Sequence, residues 1–147
     1  MKISTRSRYG IRLMLALALL YQKKPVLLGD IAKKGAISEK YLSQIIIPLK
    51  AKGLVNSFRG ARGGYVLAKA PEEVSVREIV EILEGGLVLI DDLNGSENRH
   101  SLSLSITREI WEEITDGIVK SLDSISLKTL VERYREKNAK AAITYDI

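Results

Sequence analysis

The sequence predicts a mainly α-helical chain with a small β-wing: a winged helix-turn-helix domain followed by a long C-terminal helix. Three stretches carry that expectation. Two short helical segments flank a KKGAIS turn, an RGARGG loop joins two β-type runs, and a late helix repeats isoleucines along one side. Each element of the 147 residues has its own local reason.

Ser4 can cap a first helix running to about Tyr21, and from Leu13 onward this helix is apolar on most sides, as a buried helix is. The start, MKISTRSR followed by LMLALALL, has the outline of a signal peptide. Arg12 interrupts the apolar run, however, and QKKP follows it rather than a clear cleavage site. Tyr9, Leu13, Ala16, Leu17 and Leu20 fall at helical spacing, so the segment reads as core. No stretch approaches the ~20 apolar residues of a membrane span. A cytoplasmic chain is expected.

Pro25 ends the connection, and Val26–Leu28 reads as a short strand. A short helix from about Gly29 to Lys34 stops at Gly35. Ser38 then caps a further helix, with Glu39 at its positive end. Leu42, Ile45, Ile46 and Leu49 give that helix one apolar face, and Pro48 should kink or shorten it. Gly53 is a stop signal. Leu54–Phe58 and Tyr65–Ala68 are β-type, so RGARGG between them closes a hairpin. After Pro71, Ser75 and Glu78 form a capping box for a helix to about Glu84, with Val76, Ile79, Val80 and Leu83 inward.

Gly85-Gly86 ends that helix, and residues 91–103 read as a polar, mobile loop. A long helix follows from about Ser105 to Asp123, with Ile106, Ile110, Trp111, Ile114, Ile118, Val119 and Leu122 as a continuous stripe. Ser126 caps a last helix containing Leu127, Leu130, Val131 and Tyr134. The expected division is 1–84 for the winged domain, 85–104 for a flexible loop, 105–138 for the two late helices, and 139–147 for a frayed tail.

The charge is divided unevenly. Residues 1–70 hold 14 Lys and Arg against Asp30 and Glu39, a net +12, while residues 71–147 hold 9 against 16 acids, a net −7. The overall +5 conceals this split. A strongly basic half joined to an acidic one points to a polyanion partner for the first half.

Duplex DNA fits the motifs. The major groove admits an α-helix whose polar N-terminal face reads base edges, and Ser38, Lys40, Tyr41, Ser43 and Gln44 are the candidates on this one. Gln44 can pair with adenine in the bidentate manner of amides, whereas Ser38 and Tyr41 suit a phosphate equally well. The glycine loop first suggests a nucleotide site, but a P-loop needs Lys-Ser/Thr and a following helix. Neither is present after Gly64. A wing accounts for every residue type: Gly60, Gly63 and Gly64 allow a tight hairpin, and Arg59 and Arg62 reach a phosphate or a narrow minor groove.

Catalytic signal is poor. The single histidine, His100, lies in the polar loop with Asp91, Asp92 and Glu97 as its local candidates for partners, and the chain has no cysteine. No nucleophile–base pair or metal constellation emerges, so neither an enzyme nor a cofactor is expected. Trp111 belongs to the apolar stripe, and the natural outlet for that stripe is a two-fold homodimer through Ile106, Ile110, Trp111, Ile114 and Ile118.

Four stretches in this order and spacing, MKISTRSRYGIRLML, ISEKYLSQI with PLKAKGLV, RGARGGYVLAKAPEEVSVREIVEILEG and LDSISLKTL, cover almost the whole chain. They resemble the IscR family of bacterial winged-helix transcription regulators, dimers that usually repress promoters. The resemblance implies that Ser38, Lys40, Tyr41, Ser43 and Gln44 read the major groove and that Arg59 and Gly60 enter the minor groove. It also implies that the Trp111 helix is the dimer helix. Cluster-binding members of the family carry three cysteines and a histidine before that helix. Alignment on ITREIW puts Ser105 where the last cysteine would stand and Arg108 where the histidine would stand. Iron in a cluster wants thiolate, so no cluster is expected. This cysteine-free chain looks more like the cysteine-metabolism repressor, for which the resemblance implies control through a partner enzyme or a metabolite.

The expected function is a sequence-specific, DNA-binding transcription regulator, a repressor that binds a palindromic operator as a homodimer. Its expected partners are double-stranded DNA and a second copy of itself, with a metabolic enzyme or small-molecule effector as a further one, and no membrane. The alternative is an interaction module that docks a metabolic enzyme, with DNA binding secondary.

Overall fold

The first helix, α1 (Thr5–Leu19), begins where the Ser4 hydroxyl accepts the Ser7 N–H at 3.1 Å. In this computed structural model, which describes residues 2–87 and 101–145, α1 is the surface onto which much of the domain folds. Leu13, Met14, Leu17 and Ala18 are buried in the core cluster. The apolar N-terminal run is therefore core, and among the described residues no helix is long and apolar enough to cross a membrane.

The next two helices form the helix-turn-helix. Helix α2 (Leu28–Gly35) starts earlier than expected, and the predicted Val26–Leu28 strand reduces to one residue. Val26 exchanges both backbone hydrogen bonds with Tyr65, at 2.9 and 2.8 Å. Gly35 does not stop α2; it is the last helical residue, and Ala36 adopts the left-handed conformation after it, φ 50° and ψ 43°. That conformation costs an alanine about 1–2 kcal/mol. It is offset by the Ile37 N–H donating to the Ala32 carbonyl at 3.1 Å and by burial of the Ile37 side chain. Helix α3 (Glu39–Ala51) is capped by Ser38, and Leu42, Ile45, Ile46 and Leu49 are buried. Pro48 does not shorten it. Its missing N–H leaves the Gln44 carbonyl without the usual partner, but the buried residues on either side hold the helix through to Ala51.

Strands β1 (Val55–Phe58) and β2 (Gly64–Leu67) pair antiparallel, Val55 facing Leu67 and Phe58 facing Gly64. A 3-10 turn (Pro71–Glu73) leads to α4 (Val76–Glu84), which buries Val76, Ile79, Val80 and Leu83. Ser75 accepts the Glu78 N–H at 3.1 Å, but the reciprocal half of the predicted capping box is replaced. The Glu78 carboxylate turns to Lys69 Nζ instead, at 3.3 Å.

Residues 91–100 of the expected polar loop, with His100 and the acids Asp91, Asp92 and Glu97, lie outside the described residues, and the rest of that stretch is no loop, since Ser101 caps a helix to which Leu102 and Ser103 belong. Helix α5 (Leu102–Asp123) begins earlier than expected, where Ser101 accepts the Leu104 N–H. Helix α6 (Leu127–Tyr145) runs well into the stretch expected to be a frayed tail. Between α5 and α6 the chain is stitched to the winged domain. The Val76 N–H donates to the Ile125 carbonyl at 2.8 Å and the Leu127 N–H to the Val74 carbonyl at 2.9 Å. Leu127 and Val131 complete the core from that side.

One carboxylate closes the domain. Glu84, the last residue of α4, accepts hydrogen bonds from the Ser4 N–H (2.9 Å), the Ser4 hydroxyl (2.6 Å) and the Ser7 hydroxyl (2.5 Å). The Ser4 hydroxyl, then the Ser7 hydroxyl and the Ser4 N–H, hold its carboxyl below the usual carboxylate range, with Arg6 adding to the effect and partial burial opposing it. A depressed folded value means that Glu84 stabilises the fold fully above the unfolded value of about 4.3. That contribution disappears as pH falls through the folded value. Glu84→Gln is expected to cost about 1 kcal/mol at pH 7, and its deficit against the parent should narrow as urea melts are repeated from pH 5 down to pH 3. A deficit independent of pH would show that the Glu84 charge plays no part in holding α4 to α1.

Candidate nucleic-acid interface

The predicted site residues lie on two elements, α3 with its preceding turn and the wing. Helical rotation of about 100° per residue sets Lys40 and Gln44 opposite the buried face, and both are exposed. Ser43 is half-buried beside them, and its hydroxyl donates to the Lys40 carbonyl at 2.6 Å, leaving its lone pairs outward. Ser38 is exposed, but its hydroxyl is already engaged as the cap, accepting the Tyr41 N–H at 3.3 Å.

Tyr41 sits on the flank of α3 rather than in line with Lys40 and Gln44. Its half-buried ring meets Tyr9 edge-on, with ring centres 5.8 Å apart. Arg12 lies 5.4 Å from the centre of the Tyr9 ring and donates to the Gly35 carbonyl at 3.0 Å. A guanidinium at the C-terminal end of α2 satisfies an orphan carbonyl and complements the helix dipole. Tyr9 and Arg12 thus hold both helices of the motif in place. Neither was singled out as a site residue, because the partners are 23 or more residues apart in sequence. Ile47, also absent from the predicted site, is exposed on the solvent face of α3; the three- and four-residue spacing from Lys40 through Gln44 was the available signal.

In the wing the three glycines have separate reasons. A Cβ on Gly64, at φ 142°, would lie 2.8 Å from the Val26 carbonyl oxygen, where the two backbones pair. A Cβ on Gly63 would lie 2.5 Å from the Phe58 carbonyl oxygen, across the hairpin. Gly60, at φ 101°, faces open space and needs only its backbone freedom. Arg59 and Arg62 are exposed and form no ion pair among the described residues.

That freedom extends over the basic half. Among the described residues, only Lys69 of its Lys and Arg forms an ion pair with a carboxylate, whereas in the acidic half Arg77, Arg108 and Lys140 each pair within their own helix. On α5, none of whose residues is buried, the predicted dimer residues Ile106, Ile110, Trp111 and Ile114 are 44–49 % exposed, and Ile118 is half-buried.

The Rrf2 family, described as an iron-dependent transcriptional regulator, matches residues 3–133. The transcriptional regulator CymR of Bacillus subtilis is 37 % identical over 145 residues, 99 % of each chain. The solved structure of CymR, the global cysteine regulator of B. subtilis, superposes with a TM-score of 0.79 at 38 % identity, covering 90 % of this chain and 98 % of that one. The IscR structure from T. potens gives 0.75 at 36 % identity, covering 93 % and 90 %. Among the family's iron chemistries, a cysteine-held cluster does not fit the donors present here. The chain has no thiol, Ser105 offers only a hydroxyl, and the Arg108 guanidinium pairs with Glu112 at 3.1 Å. An iron–sulfur cluster held by cysteine has no ligands in this chain.

The wing geometry separates two kinds of glycine. Gly64→Ala is expected to lose about 2–3 kcal/mol, since backbone strain and a backbone clash coincide, and Gly60→Ala about 1 kcal/mol from strain alone. Chemical denaturation measures both, and equal losses would mean that the Val26 contact does not constrain the wing.

Proposed function

The chain belongs to the Rrf2 family of DNA-binding transcription regulators and is not an enzyme, and from that premise we propose that it is a sequence-specific repressor acting as a homodimer on a palindromic operator. The observation that carries this reading is the unpaired charge. Among the described residues the basic half forms one ion pair, Lys69 with Glu78, while Arg77, Arg108 and Lys140 of the acidic half pair within their own helices, and a net +12 so little countered is arranged for an external polyanion.

In this proposal α3 enters the major groove. Lys40, Ser43 and Gln44 face base edges, and Ser38 and Tyr41, tied to the fold at the cap and the flank, lie toward phosphates. The wing places Arg59, Gly60 and Arg62 in the adjacent minor groove. The exposed isoleucines and Trp111 of α5 meet the same surface on a second copy, so that two α3 helices address half-sites about 34 Å apart or a multiple of it. A dimer seated on a promoter represses by occluding polymerase. Such a protein works where the chromosome is, in the cytoplasm.

Footprinting on the DNA upstream of the protein's own gene should reveal two protected half-sites in inverted repeat. Protection of a single half-site, or none, would sink the palindromic model. Arg59→Ala is expected to lose about 1–3 kcal/mol of operator affinity and to reduce the slope of log K against log salt by about one. An unchanged slope would remove Arg59 from the phosphate backbone. Ile114→Asp, exposed in the single chain and so tolerated by its fold, should shift the protein from dimer to monomer in sedimentation; a dimer that persists would place the interface elsewhere.

A further inference from the structure

Helix α3 carries one large apolar side chain on its solvent face. Ile47 lies three residues after Gln44 and seven after Lys40, which puts all three in one stripe opposite Leu42, Ile45, Ile46 and Leu49. It is 65 % exposed, more than Ile106, Ile110 or Ile114 of α5. A β-branched residue there gains little for the fold: it lowers helix propensity slightly and leaves most of its side chain in water.

The surroundings of Ile47 restrict what it can meet. Lys40, Gln44 and Lys50 around it are exposed and polar, and Ala51, one turn on, adds only a methyl group, so Ile47 is the one large apolar side chain on a polar face. Protein partners select broader apolar patches. The major groove, in contrast, offers isolated apolar points in the 5-methyl groups of thymine, bordered by hydrogen-bonding base edges and phosphates. We infer that Ile47 is a specificity residue that reads a thymine through its 5-methyl group. This rests on the placement of α3 in the major groove proposed above. Three residues advance the helix by about 4.5 Å, so the thymine stands one or two base pairs from the base that Gln44 addresses.

The test uses the full chain. Bound sequences are recovered by selection from random duplexes, and each thymine of the half-site is then replaced in turn by deoxyuridine, which removes only the methyl group. For the parent protein one position should weaken binding about four-fold. For Ile47→Ala that position should become silent while the other positions keep their profile. Ile47→Val should retain part of the penalty, and both variants should melt as the parent does. Identical uridine profiles for the parent and Ile47→Ala would overturn the assignment while leaving DNA binding intact. Failure to recover any bound sequence would overturn the groove placement as well.

Discussion

A single carboxylate oxygen, that of Glu84, gathers the backbone and hydroxyl of Ser4 and the hydroxyl of Ser7, and so fixes the end of α4 to the start of α1. Much else depends on that attachment. Helices α3, α4 and α6 and strand β2 all lie against α1. Within the same helix, Arg12 holds the last carbonyl of α2, and Tyr9 supports the ring of Tyr41 on α3. The groups that position α3 thus come from the helix whose own start is set 80 residues away. Ser7 is fully buried, and its hydroxyl is satisfied by this contact; without it, the hydroxyl would carry an uncompensated desolvation cost.

Charge is organised by the same division of the chain. In the second half Arg77, Arg108 and Lys140 each pair with a glutamate four residues away, whereas the first half, at a net +12, repels itself. Such self-repulsion destabilises a compact state. A protein keeps it where a counter-charge arrives from outside, and the phosphates of a duplex are the counter-charge that a helix and a narrow wing can both reach.

Local signals in the sequence were reliable where the physics is local. Ser4, Ser38 and Ser75 cap the helices they were expected to cap, and the apolar spacing in α3 and α4 identifies the buried residues. The winged-helix arrangement was legible from the same signals, as the structural relatives agree. What escaped was decided by distance along the chain or by competition. Glu78 chose Lys69 over the cap because a charged partner was in reach. Ala36 took the left-handed position that Gly35 was expected to mark, because the buried Ile37 and its hydrogen bond outweigh the strain. On α3 the polar candidates were visible by residue type, but the flanking place of Tyr41 and the outward place of Ile47 needed the angles of a folded helix.

The backbone stitch between Val74–Val76 and Ile125–Leu127 has a mechanical consequence. It clamps the end of α5 nearest the winged domain, while Leu102 at the other end is 75 % exposed. A helix of 22 residues is about 33 Å long, so a tilt of 5° at the stitched end of α5 displaces the other end by about 3 Å. The short turn from Ser124 to Ser126 is its fixing point. A small torque there, from a substitution or a bound molecule, would re-aim everything seated along α5 without altering α3 or the wing.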